Sequence, residues 1–200
     1  MVSYHYNTSV FIMFHYYTYI IGLLLIASSC APPRNNAVNV RRNTTEDIEM
    51  SSTAPTEIRR QVTEYALSLV GIKEHGSNRG KGVEEILANA NLPPGTAYCG
   101  ATVMYVYDHV GVHYTMDARA RSCCPPGIKT KHPQPGDVVG MWWSGNVVQH
   151  VGIYLGRQDE FVLTVEGNTS NPNDKREEGV YRKSRSVDNT PMIYGNQIDP

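Results

Sequence analysis

Residues 147–166, VVQHVGIYLGRQDEFVLTVE, decide the architecture. Two β-prone runs, Val147–Leu155 and Phe161–Glu166, flank Gly156-Arg-Gln-Asp-Glu160, a polar loop containing glycine and fit for a hairpin. Taken as symmetric about Gln158, the loop sets Leu155 against Phe161, and counting outward places His150 directly opposite Glu166. Opposed residues of an antiparallel pair share a face, with Cβ atoms about 4.5–5.5 Å apart. A carboxylate beside an imidazole fixes its tautomer and favours the imidazolium, as a histidine serving a nucleophile requires. An ordinary cross-strand polar pair has the same spacing, and a single β-bulge would change the count.

Outward from this hairpin, further short β runs at Asp137–Trp142, Val180–Lys183 and Met192–Tyr194 are separated by turn residues. Upstream the period changes. Ile58, Val62, Tyr65, Ala66, Leu69 and Val70 form one helical face over about Glu57–Val70, with Gly71 at the C-terminal cap position. A second helix is expected around Gly82–Asn89 and a third over about Ala97–Val110, opened by Thr96 and stopped by Gly111. Helices first and strands afterwards predict an α+β domain, its helices packed on an antiparallel sheet.

The third helix carries Cys99. With Thr96 as N-cap, Cys99 falls at the third helical position, where free N–H groups and the helix dipole favour a thiolate. Free cysteine is also a common small buried residue, so position alone does not make it a nucleophile. Cys123-Cys124 lie in a loop before Pro125-Pro126, where neither opens a helix, and are read as reduced or joined in a strained ring. His109 and His113 have the spacing of a zinc helix, but Gly111 between them ends it, so no metal site is expected. Trp142-Trp143 are adjacent, so one faces the core; Trp142 is assigned to a substrate groove. Asp137 reads as a strand-start residue.

With 200 residues, 18 Lys+Arg and 19 Asp+Glu, the chain is one near-neutral domain plus tails, which argues against a nucleic-acid partner. Residues 1–30 contain no Lys, Arg, Asp or Glu, and their apolar run Ile20–Ala27 ends in Ser28-Ser29-Cys30. That is the pattern of an export signal, and small residues leading into a cysteine resemble a lipobox, with Cys30 as the lipidated residue. An uncleaved anchor reaching back through Val10-Phe-Ile-Met-Phe14 is the other reading. Residues 31–55 have no aromatic residue and form a disordered linker, leaving 56–200 as the folded domain.

Four pieces occur in order: Tyr98-Cys99-Gly-Ala opening a helix, Pro135-Gly-Asp-Val138, His150-Val-Gly-Ile-Tyr-Leu155 and Val165-Glu-Gly-Asn-Thr-Ser170. Together they resemble the CHAP superfamily of cysteine- and histidine-dependent amidohydrolases and peptidases, over about residues 57–185. NlpC-type cell-wall peptidases share the cysteine at a helix start and the His-Val-Gly-Ile strand; the Glu-Gly-Asn run is closer to CHAP. The resemblance implies a papain-like α+β fold, no cofactor, and cleavage of amide bonds in peptidoglycan stem or cross-bridge peptides. It matches Cys99 to the nucleophile, His150 to the general base, Glu166 to the residue orienting the imidazole and Asn168 to a polar group beside it. Tyr98 is close enough in sequence to be suspected of touching substrate or supplying an oxyanion donor. The chain is thus expected to be an exported, membrane-tethered peptidoglycan hydrolase. A wall-binding module of the same fold, or an acyltransferase or protein-directed peptidase, is the alternative.

Overall fold

The computed structural model describes residues 56–199. The expected export signal with Cys30 and the expected linker over 31–55 lie outside the described residues. Three helices come first, α1 Glu57–Ser68, α2 Lys81–Asn89 and α3 Cys99–Val110. After short 3-10 turns at Ala120–Ser122 and Pro126–Ile128 come six strands: β1 Lys129–Thr130, β2 Val138–Met141, β3 His150–Gln158, β4 Phe161–Ser170, β5 Glu178–Ser186 and β6 Met192–Gly195. Their spatial order is β1-β6-β2-β3-β4-β5, and every pairing is antiparallel. This is the α+β arrangement that the order of helical and strand patterns predicts, of the papain-like kind that the resemblance implies. The strand absent from the sequence reading is β1, two residues long and too short to show an alternation.

Strand alternation sorts the core into two layers. Val138, Val151, Ile153, Val165 and Val180 pack with Val62, Ala66, Val83, Ile86, Val103 and Val106 of the helices. Their alternates Val139, Met141, Tyr154 and Val162 form a second cluster. Each such side chain contributes roughly 1.5–3 kcal/mol on full burial. Two polar ties lock helices to the start of β2. Arg59, 1% exposed, donates to Asp137 Oδ1 at 2.8 Å and to the Pro135 carbonyl at 3.1 Å. Tyr107 donates its hydroxyl to the Gly136 carbonyl at 2.7 Å. Asp137 therefore serves the scaffold.

The ends of α3 matter most for function. Its C-terminal cap is Gly111 in the left-handed region, φ 79°, which takes His113 off the helix, while His109 stacks on Tyr65 at 3.7 Å. The N-terminus differs from expectation. Thr96 does not cap the helix, because its hydroxyl donates to the Pro93 carbonyl at 2.8 Å within the preceding turn. Tyr98 is the N-cap residue instead, so Cys99 is the first helical residue rather than the third.

Candidate active site

Two close approaches hold the first turn of α3 in place. A methyl group at Gly100 would overlap the Ala118 carbonyl, and one at Gly167 would overlap Thr102 Oγ1. Glycine lets the loop before the first 3-10 turn press on one side of α3 and β4 on the other. Cys99 opens the helix where backbone N–H groups lack intrahelical partners. His150 opens β3, and the two element starts meet: the Cys99 thiol lies beside the imidazole and interacts with it. Both residues reach the surface slightly, Cys99 at 8% and His150 at 9% exposure, whereas Glu166 is fully buried.

His150 Nε2 lies 2.9 Å from Glu166 Oε2, which leaves Nδ1 as the ring nitrogen available to the thiol. The hairpin delivers this pair by a route the symmetric count did not foresee. Gln158 pairs with Phe161, so the turn is only Asp159-Glu160, and the register shifts again between Tyr154 and Gly156 before Ile153 meets Val165. Continued inward, that register sets Glu166 opposite Gly152, with His150 one diagonal step away. The diagonal works because Gly152 has no side chain: a Cβ there would sit 2.8 Å from Glu166 Cγ. The carboxylate lies across the glycine and reaches the imidazole.

Glu166 has further partners that the sequence reading missed. Thr164 donates its hydroxyl to Oε1 at 2.6 Å, Arg185 donates Nε–H to Oε1 at 3.0 Å, and Arg185 Nη2 donates to Oε2. The guanidinium also lies 5.6 Å from the Trp143 ring centroid, and that ring is 6.1 Å from His150. Burial works against the ionised Glu166, but Arg185 and then His150 outweigh it and hold its pKa at about 2. Burial likewise works against a charged His150, yet Cys99 and Glu166 beside it raise its pKa to about 9. A cysteine at a helix start, an imidazole that keeps its proton near neutrality and an ionised carboxylate are the side chains that cysteine acyl-transfer chemistry requires. No group of His, Cys, Asp and Glu among the described residues is arranged to hold a metal ion.

Three expected site residues sit differently. Asn168, φ 54°, turns its side-chain amide to Asn78 Oδ1 at 2.7 Å rather than to the imidazole. Tyr98 is fully buried and donates to Glu74 Oε1 at 3.0 Å, so it braces the helix start and has no surface to offer a substrate. Of the two tryptophans, it is the exposed Trp143 that stands beside His150. Trp142 is half-buried and turned to a neighbouring cavity with Cys124 and Ile193. Cys123 and Cys124 are both buried free thiols with sulfurs 3.3 Å apart. A cavity of about 470 Å³ beside Lys73, His75 and Arg176 contains none of the Cys99–His150–Glu166 group, so cavity size does not mark the site.

The model of the NlpC/P60 family matches residues 89–187, a stretch that holds Cys99, His150, Glu166 and Arg185. No curated protein matches the chain. Among solved structures, the endolysin LysIME-EF1 is similar at 19% identity and TM-score 0.43, over 70% of this chain and 65% of that one. NlpC1 from Trichomonas vaginalis is similar at 14% identity and TM-score 0.42, over 74% of this chain and 46% of that one. A lipoprotein-like NLP/P60 family protein from Staphylococcus aureus is similar at 15% identity and TM-score 0.41, over 76% and 45%. The chain thus spans less than two thirds of the length of each of these proteins.

Proposed function

We propose that the chain is an exported cysteine amidohydrolase that cleaves an amide bond in the peptide part of peptidoglycan. The observation that carries this reading is the His150 Nε2–Glu166 Oε2 contact of 2.9 Å, with Cys99 at the first position of α3 beside the imidazole. The match to the NlpC/P60 family, a family of cysteine peptidases and amidases of the cell wall, supports the substrate class. The Glu-Gly-Asn run at 166–168 keeps the third position a carboxylate, as in CHAP-type sites. The apolar segment ending at Cys30 supports export and tethering at the membrane, on the side where the wall lies.

In this reading Cys99 thiolate attacks the amide carbonyl, and the Cys99 backbone N–H at the helix start donates to the developing oxyanion. His150 gives its proton to the leaving amine, which frees an acyl-enzyme. The now neutral imidazole takes a proton from water, whose oxygen attacks the thioester and releases the acid. Glu166 holds the ring so that Nδ1 faces the sulfur, and Arg185 and Thr164 hold Glu166.

The test is incubation of the protein and its Cys99→Ala variant with purified peptidoglycan under reducing conditions, with products read by mass spectrometry. New fragments from the wild type alone establish the hydrolase and identify the bond. Binding of the wall by both proteins without fragments makes it a wall-binding module. Neither binding nor release sinks the peptidoglycan assignment.

A further inference from the structure

A small cavity of about 240 Å³ lies where the 3-10 turn at Ala120–Ser122, β1 and the end of β2 meet. Arg121, Lys129, Trp142, Val147 and Ile193 line it together with Cys124, and no acidic side chain does. Arg121 and Lys129 are both exposed, and neither makes a hydrogen bond or ion pair through its side chain among the described residues. Six other described cations, Arg59, Arg60, Lys73, Arg119, Arg176 and Arg185, face carboxylates. Two unneutralised cations over an aromatic and aliphatic floor form a site for an organic anion, with guanidinium and ammonium as donors and the floor for the attached carbon chain.

The cavity's place relative to Cys99 follows from the chain. Arg121 is in the 3-10 turn just after Ala118, whose carbonyl presses on Gly100, the residue after Cys99. Trp142 precedes Trp143, which stands beside His150. Cys124 follows Cys123, and both belong to the same buried core cluster as Cys99. Its volume falls below the ~300–1,000 Å³ of pockets that enclose a whole ligand, which suits one residue of a longer peptide.

We infer that Arg121, Lys129 and Trp142 form a subsite that takes a free carboxylate of the substrate peptide, close to the scissile amide. This rests on the hydrolase reading, since a carboxylate bound here has consequences for cleavage only if Cys99 cuts. The chemistry suits stem peptides, whose residues carry carboxylates that some walls leave free and others convert to carboxamides.

The experiment uses stem peptides with their carboxylates free or converted one at a time to carboxamides. They are offered to the wild-type protein and to the Arg121→Gln/Lys129→Gln variant, whose exposed, unpaired positions leave the core untouched. One amidation is expected to lower wild-type kcat/KM about tenfold or more, the scale of a lost charge-assisted contact. In the variant the free and amidated peptides come within about twofold of each other. A preference that survives the double substitution, or a wild type indifferent to every amidation, overturns the subsite.

Calorimetry of the same peptides on the Cys99→Ala protein separates this from failure of the hydrolase reading. If nothing is cut but binding still depends on one free carboxylate and on Arg121 and Lys129, the subsite stands and the enzyme reading falls. If binding is blind to amidation, the subsite falls as well. Inorganic phosphate displacing the peptide at far lower concentration than acetate would assign the pocket to a phosphate-bearing polymer and overturn the peptide assignment.

Discussion

Replacing Arg185 by Met removes the guanidinium while keeping an unbranched apolar stem against Trp143. Glu166 is fully buried, and its oxygens receive four donors: the Thr164 hydroxyl, His150 Nε2 and two nitrogens of Arg185. Burial pushes the carboxyl up, and Arg185 is the foremost of the groups that together bring it down from 4.5 to about 2. At ~1.4 kcal/mol per pKa unit, holding Glu166 that low contributes on the order of 3 kcal/mol at neutral pH. Without Arg185 the opposing burial is no longer outweighed, so most of that contribution is lost, in keeping with the ~3–5 kcal/mol for breaking a buried pair. The sign is set by a depressed carboxylate. Its stabilisation is fully present above pH 4.5 and disappears as pH falls through about 2. Urea unfolding of wild type and Arg185→Met should therefore show a gap of about 3 kcal/mol at pH 7 that closes steadily between pH 4.5 and pH 2. A gap that stays the same over that range would mean Arg185 acts by packing alone. One below about 0.5 kcal/mol would refute the ion-pair argument altogether.

Gly152→Ala should push Glu166 away from His150, since the new Cβ would sit 2.8 Å from Glu166 Cγ; kcat should fall on the order of 100-fold with KM little changed, and activity within twofold of wild type would count against the diagonal contact. His150, raised from 6.5 to about 9, contributes stability that is fully present below pH 6.5 and is lost as pH rises through 9, so kcat/KM should decline above about pH 9 as the imidazolium deprotonates. Glu166→Gln should bring that alkaline limb down by about one pH unit or more, and a limb that stays at 9 would remove Glu166 from the group. Tyr98→Phe should cost about 1 kcal/mol in thermal unfolding through the lost bond to Glu74, with KM unaltered; a raised KM at unchanged stability would return Tyr98 to the substrate groove.

The architecture was legible because each helix and all strands but one carry their own period. The α1 face from Ile58 to Leu69 and the runs in β3 and β4 each declare themselves within a dozen residues. Boundaries were less legible where a side chain had two uses. Thr96 is a good N-cap by composition, yet its hydroxyl serves the turn at Pro93, and Cys99 became the first helical residue instead. Trp142 and Trp143 alternate faces, but which face holds the imidazole depends on a register that no local pattern shows. Arg185 was out of reach for the same reason. It stands opposite Val162, and that pairing is fixed across the irregular connection between β4 and β5.

The His150–Glu166 pair was found through a register that was wrong in detail, and the reason it survived is physical. Side chains alternate with period two, so a pairing displaced by an odd number of residues sends every partner to the opposite face, while an even displacement keeps the face. The two-residue turn at Asp159-Glu160 displaces the pairing by an odd amount from the symmetric five-residue loop, which alone would have separated the two side chains. The register shift at Leu155 moves it back by one and restores the face. What remains is an offset along the strand, and the absence of a side chain at Gly152 lets Glu166 close it. Turn, bulge and glycine therefore act as one device, and an odd change of register inward of the bulge should uncouple the carboxylate from the imidazole. Deleting Val151 is the sharpest case: it moves His150 one step along β3, onto the face opposite Glu166, and should abolish cleavage even though Cys99, His150 and Glu166 all remain in the chain.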